Sequence, residues 1–281
     1  MDFSLLMAVY AGDDAAFVEH AYRSATSGQT RPPAQCVIVQ DGPVGVDLAR
    51  WLEQVETEPG VKLVRLETNQ GLAAALNAGL AEVTTEVVAR IDADDYCLRE
   101  RFERQLALIE TGLDLVGGAI AEFATDPYTP GLVRNVATTQ AAIERRARIE
   151  SPFHHPSVVF RKAAVDAVGG YPELRQMEDY LLWVRMLING ARVANLPEVV
   201  VHYRVGAGAF ARRGGRILAR SEAALQKEFR RLGFITWAQY LRNRILRGAL
   251  YRHLPARLRR PAYHLWKRLG KKSPTSEGPD D

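Results

Sequence analysis

Ala89-Arg90-Ile91-Asp92-Ala93-Asp94-Asp95 carries an apolar run, Val87 through Ile91, straight into three carboxylates. Clustered Asp side chains repel one another, and crowding them is costly unless a cation sits between them. A hard divalent ion does this. Mg²⁺ in particular is held by one or two carboxylates together with substrate phosphates. The apolar run reads as a buried parallel strand, and acids at the carboxyl end of such a strand stand where open α/β sheets bind ligands. Two readings follow: a metal–diphosphate site, or an acidic loop with no ligand.

Other segments offer matching chemistry. Asp41 lies between Gln40 and Gly42. It can accept the N3–H of a uracil, or an equivalent donor on another base, or it can serve as an Asx-turn residue. Tyr10 offers a ring for stacking, or ordinary packing at a strand end. Asn69-Gln70-Gly71 opens an Ala/Leu-rich helix, with Asn69 as an N-cap and Gly71 permitting close approach of backbone or ligand. A helix N-terminus there would favour a diphosphate. Glu178 and Asp179 begin an amphipathic helix whose apolar residues include Leu181, Leu182 and Val184. That anchors one carboxylate rigidly, as a general base requires; the plainer role is capping. Glu178 would orient an acceptor or support Asp179, and Trp183 reads as core. His154 and His155 would touch phosphates or acceptor, or sit at the core edge. Arg204 would bind diphosphate or pair with an acid, and His202 is a candidate third metal ligand.

Alternating elements must position these groups. Strands are predicted at 3–10, 35–40, 62–67, 86–91 and 115–123. Helices are predicted at 15–27, 46–58, 71–81 and 99–110, with Gly or Pro-Gly punctuation at 59–60 and 112. This β-α repeat predicts an α/β sheet with right-handed crossovers. The second half is less regular. It has a Pro-containing loop at 126–131, helices at 138–148, 162–168 and 179–189, and strands at 156–160 and 199–205. The pattern is helical from 209 to 269, and residues 273–281 read as a disordered tail.

The 281 residues are 47% hydrophobic, enough for one large or two small domains with a substantial core. Two cysteines, Cys36 and Cys97, make neither a disulfide framework nor a metal cluster. The first residues read as a strand rather than a signal peptide, and no apolar run is long enough to span a membrane. A cytoplasmic protein is expected.

Four motifs in order resemble the family 2 glycosyltransferases. They are Ser4-Leu5-Leu6-Met7-Ala8-Val9-Tyr10, Val37-Ile38-Val39-Gln40-Asp41-Gly42, Asn69-Gln70-Gly71 through Asn77-Ala78-Gly79, and Arg90-Ile91-Asp92-Ala93-Asp94-Asp95. The likeness covers roughly 3–205, and Met177-Glu178-Asp179-Tyr180-Leu181-Leu182-Trp183 looks like that family's acidic segment bearing the catalytic base. The resemblance implies a GT-A fold, a nucleotide-diphosphate sugar donor and inversion at the anomeric carbon. It implies that Asp92 and Asp94 hold Mg²⁺ or Mn²⁺, with Asp94 the more direct ligand. Asp179, with Glu178, would be the catalytic base, and Ala8, Tyr10, Asp41, Asn69, Gly71, Asp92 and Arg204 would contact the nucleotide. Gln40 and Ala11 depart from the usual Asp and Asn. The rivals are a non-catalytic nucleotide-sugar-binding protein on the same fold and a sugar nucleotidyltransferase. The latter is disfavoured by the acidic Asp13-Asp14 after the first strand.

A GT-A domain over 1–205 and a basic amphipathic helical extension over 206–270 are expected. The extension interleaves Leu225, Phe229, Trp237, Leu241 and Ile245 with arginines. Such helices suit an anionic membrane surface, or a core with a solvated basic face; nucleic acid is not an expected partner. A basic loop at 212–216 could close over the diphosphate. This tail is similar to that of bacterial exopolysaccharide and lipopolysaccharide transferases of the amylovoran-biosynthesis type, whose acceptors are glycans or lipid-linked glycans. That implies docking at the inner face of the plasma membrane.

Overall fold

The computed structural model describes residues 1–205 and 216–253. The strands are β1 (Phe3–Tyr10), β2 (Gln35–Asp41), β3 (Val61–Leu66), β4 (Val87–Arg90), β5 (Tyr96–Cys97), β6 (Leu115–Phe123), β7 (Val133–Arg134), β8 (Val159–Arg161) and β9 (Val193–Arg204). The helices are α1 (Ala15–Ala25), α2 (Val46–Val55), α3 (Leu72–Glu82), α4 (Arg101–Glu110), α5 (Gln140–Ala147), α6 (Lys162–Asp166) and α7 (Glu178–Ile188), then α8 (Arg216–Arg231) and α9 (Trp237–His253). A 3-10 turn, His155–Ser157, precedes β8.

One sheet carries the order β3-β2-β1-β4-β8-β6-β9-β5, with β7 on β6. β3, β2, β1 and β4 run parallel. β8 enters antiparallel between β4 and β6, so the strand at 115–123 does not neighbour β4. Short β5 pairs antiparallel with β9.

Side-chain alternation divides the core into two layers. Phe3, Leu5, Met7 and Val9 of β1 join Val87, Ala89 and Ile91 in the layer beneath α1, α2 and α4. Leu6, Val37, Val39 and Val88 face the other layer, with α3 and α7 residues Ala75, Leu76, Leu182 and Trp183. Arg90 follows Val88 on this second face. The alternation that buries β4 therefore delivers a guanidinium to the layer holding α7.

The extension is docked on the domain through its first helix. Leu218, Leu225 and Phe229 of α8, and Ile235 after it, pack with Ala147, Tyr180, Leu181 and Val184. Leu225 and Phe229 are fully buried, each such side chain contributing about 1.5–3 kcal/mol. The predicted single helical run is interrupted at 232–236, where Gly233 adopts a φ of +71°. The basic loop at 212–215 and the expected tail lie outside the described residues. Among the described residues no helix is long and apolar enough to cross a membrane.

Candidate functional site

Parallel pairing brings the ends of β1, β2 and β4 to one edge. Tyr10 aligns with Asp41, and Leu6 with Arg90, so the chain after Arg90 emerges toward the same edge. Ala8, partly exposed, lines β1 just below Tyr10.

Asp41 is buried. Its Oδ1 accepts the N–H of Gln70 at 2.6 Å and its Oδ2 the N–H of Gly71 at 2.9 Å. Asn69 Nδ2 donates to the Asp41 carbonyl at 3.2 Å. The carboxylate therefore fixes the turn that leads into α3, and Gly71, not Asn69, occupies the N-cap position, with no side chain capping the first turn. Gly71 has a φ of +91°, a left-handed conformation that favours glycine. A Cβ there would meet open space, so the requirement is conformational and the position stays open to a ligand. Tyr10 is exposed, with its N–H bonded to Asp13 Oδ2 at 2.9 Å. Its ring folds over Gly12, where a Cβ would stand 2.4 Å from the Tyr10 hydroxyl.

Beyond β4 the three acids differ. Asp95 is buried, accepts the Arg204 N–H at 2.8 Å on Oδ1, and has an Oδ2 with no partner among the described residues. Burial first, then the charges of Asp92 and Asp94, push its carboxyl well above the ordinary range. Asp92 and Asp94 stay partly exposed, and Asp92 Oδ1 is bound by Arg90 Nη2. Arg204 is buried, lying between the rings of Phe17 and Phe123 at 3.8 and 4.5 Å, with Nε donating to the Asp94 carbonyl at 3.0 Å. It fixes the acidic turn from behind.

Arg90 is the residue that sequence reasoning missed. It is fully buried, and its Nε and Nη1 have no partner among the described residues. Its charge acts on Asp92 and also on Glu178 and Asp179. Arg101, also buried, donates from Nη2 to the Arg90 carbonyl at 2.7 Å and so anchors the end of β4. A cation directly ahead of an acid cluster was a readable signal; its burial was not.

Glu178 and Asp179 open α7, where the positive end of the helix favours carboxylates. Gln176, two residues earlier, has a φ of +66°, a strained conformation for a non-glycine residue. Glu178 is buried, and burial raises its pKa. Asp179 is partly exposed as a residue, yet its carboxyl is enclosed. Burial first, and the neighbouring Glu178 next, raise it to about 7, against opposing contributions from backbone N–H groups and Arg90. A carboxylate titrating near neutrality is poised to take a proton.

The histidines are engaged elsewhere. His155 Nε2 lies 3.0 Å from the Tyr171 hydroxyl, its ring packs on Trp183, and burial drives its pKa well below the usual value. Asn77 clasps the Tyr171 backbone from α3, with both bonds at 2.8 Å. His202 Nδ1 meets the Pro127 carbonyl, and its ring stacks on Tyr96. Trp183 is buried in the core. Among the described residues no group of three or more His, Cys, Asp or Glu side chains is arranged to hold a metal. Mg²⁺ does not need one, because one or two carboxylates and substrate phosphates suffice. Asp92 and Asp94, accessible beside an unsatisfied buried Asp95 oxygen, fit that requirement.

The family model of glycosyl transferase family 2 matches residues 4–169. The chain belongs to glycosyl transferase family 2. It is a glycosyltransferase. Among similar proteins of this kind, the amylovoran biosynthesis glycosyltransferase AmsE of Erwinia amylovora is 36% identical over 85% of this chain and 90% of its own. The UDP-Gal:alpha-D-GlcNAc-diphosphoundecaprenol beta-1,3-galactosyltransferase of Escherichia coli is 33% identical over 87% of this chain and 89% of its own. The crystal structure of S. aureus TarS 1–349 in complex with UDP-GlcNAc superposes with a TM-score of 0.65 at 20% identity, over 82% of this chain and 66% of that one. The shared architecture is the GT-A fold.

Proposed function

We propose that this glycosyltransferase moves a sugar, with inversion, from a UDP-sugar to a hydroxyl of a lipid-linked glycan, in the synthesis of a bacterial cell-surface polysaccharide. The observation that carries this reading is one buried cation, Arg90, that binds Asp92 and whose charge also lowers the pKa of Glu178 and Asp179. A donor-side acid and an acceptor-side base thereby share one site. Similarity to relatives named for amylovoran synthesis and for a diphosphoundecaprenol-linked acceptor supports the substrate classes.

In this reading Tyr10 stacks on the base while Asp41 shapes its floor, holding Asn69, Gln70 and Gly71 in place. The α3 N-terminus at Gly71 faces the diphosphate. Arg204 keeps the Asp94–Asp95 turn in register. Asp92 and Asp94 would hold Mg²⁺ or Mn²⁺, which when bound supplies positive charge to the leaving diphosphate. Asp179 takes the acceptor hydroxyl proton as that oxygen forms its bond to the anomeric carbon. The bond to the diphosphate breaks on the opposite face, and UDP leaves with the electron pair. Glu178 keeps Asp179 basic enough to accept the proton. Because a lipid-linked acceptor resides in the bilayer, the enzyme works as a peripheral protein at the inner face of the plasma membrane.

The test is transfer from a panel of UDP-sugars to a short-chain polyprenyl-diphosphate sugar. One donor should give an inverted product, lost with EDTA and restored by Mn²⁺. Asp179→Asn should abolish transfer while UDP binding persists. Equal loss of both in Asp179→Asn would mean a structural role. Pyrophosphate released from UTP and a sugar 1-phosphate, with no sugar transferred from any UDP-sugar, would point to a nucleotidyltransferase.

A further inference from the structure

The second helix of the extension turns an apolar stripe outward. Trp237, Leu241 and Ile245 are 60%, 54% and 67% exposed. They stand four residues apart, so at about 100° per residue they form one strip along α9. Exposed Arg244 borders the strip on one side, and exposed Ala238 and Arg242 border it on the other. The opposite face is fixed to the domain. Asn243 is buried, with Nδ2 donating to the Arg148 carbonyl and to Gln226 Oε1, both at 2.9 Å. Tyr240 packs on the cluster beneath α8. The sequence pattern could not separate the apolar residues that turn inward, Leu225 and Phe229, from those that turn out.

Charge identifies what covers this strip. No Asp or Glu occurs between Glu228 and Glu277, while Arg and Lys recur throughout. Arg230 also stands 5.3 Å from the Trp237 ring centroid. A second copy of the same face would bring Arg242 and Arg244 against like charges. A surface of anionic headgroups over acyl chains satisfies both requirements at once: it accepts the apolar side chains between arginines that meet phosphate.

We propose that the Trp237–Leu241–Ile245 face of α9 docks on an anionic phospholipid surface, holding the catalytic domain against the bilayer. This rests on the reading of the acceptor as lipid-linked. α9 is held on α8 through Asn243 and Gln226, and α8 in turn packs on α7, the helix that opens with Glu178 and Asp179.

The test is flotation of the full chain with vesicles of phosphatidylglycerol mixed with phosphatidylcholine, and with vesicles of phosphatidylcholine alone. Wild type should float with the anionic vesicles and be released by high salt. Leu241→Glu/Ile245→Glu should weaken partition on the order of tenfold or more. Arg242→Gln/Arg244→Gln should weaken it on anionic vesicles only. UDP binding, and turnover on a water-soluble acceptor analogue, should be unchanged in both variants. The proposal is overturned by wild type failing to float, or by Leu241→Glu/Ile245→Glu floating as wild type does. It is equally overturned if wild type forms a dimer that Leu241→Glu/Ile245→Glu disrupts. Vesicle binding without UDP binding would instead remove the reading of a UDP-sugar donor while leaving the docking face standing.

Discussion

Glu178→Gln should shift the acidic limb of the pH–activity profile downward. Asp179 titrates at about 7, with burial the first cause and Glu178 the second. At that value roughly one tenth of Asp179 is ionised at pH 6 and roughly nine tenths at pH 8. If the ionised form is the base, kcat/KM rises about tenfold across that interval. Glutamine keeps the size of Glu178 and removes its charge, while burial of Asp179 persists. The limb should therefore move down by on the order of one pH unit, each unit corresponding to about 1.4 kcal/mol. Arg90 acts in the opposite sense, so Arg90→Met should move the limb upward. The assay is kcat/KM against pH for UDP release, which reports groups of the free enzyme, with thermal melting of each variant as a folding control. A structural defect in either variant would lower activity at every pH without moving the limb. An unmoved limb in well-folded Glu178→Gln, or shifts of the same sign in both variants, would refute the assignment of Asp179.

The same group has a consequence for stability. The folded-state pKa of Asp179 lies above its ordinary value of 3.8. The folded protein therefore holds more protons than the unfolded chain between about pH 4 and pH 7, and stability falls as pH rises through that window. Asp179→Asn should melt higher than wild type at pH 8 and nearly equally at pH 4, while losing about 100- to 10,000-fold in turnover; a lower melting temperature at pH 8 would contradict this. Gly71→Ala, at a φ of +91° and a ψ of 163°, should cost about 1–3 kcal/mol by denaturant melting, and should weaken UDP binding because the α3 N-terminus shifts.

The first half of the chain was legible because each element announces itself locally. The apolar runs of β1, β2 and β4 are buried on both faces, and glycines at 42, 60 and 112 end segments with positive φ. The second half of the chain was less legible. β9 begins at Val193, six residues before the predicted strand, because Pro197 and Glu198 are accommodated by a register shift. Gly118 pairs with Leu196, and Ala119 with Val199. A proline inside a strand reads as a break unless a bulge takes it up. β5, β7 and β8 have two or three residues each, too few to show a period. At the site, the acids and Asp179 were readable as residue types at strand and helix ends. The burial of Arg90, and the grip of Arg204 on the Asp94–Asp95 turn, come from contacts between segments more than 100 residues apart or from packing that no local pattern encodes.

In the proposed mechanism the acids after β4 hold a divalent cation on the donor diphosphate, so UDP affinity should depend on Mn²⁺ and on Asp94. Calorimetric titration of UDP into the full chain, with and without Mn²⁺, and repeated with Asp94→Ala, tests it directly. Wild type should bind UDP more tightly with Mn²⁺ by at least about tenfold, and Asp94→Ala should bind it alike in both conditions while melting as wild type does. Equal UDP affinity with and without Mn²⁺ in wild type, or an undiminished Mn²⁺ response in Asp94→Ala, would contradict the claim.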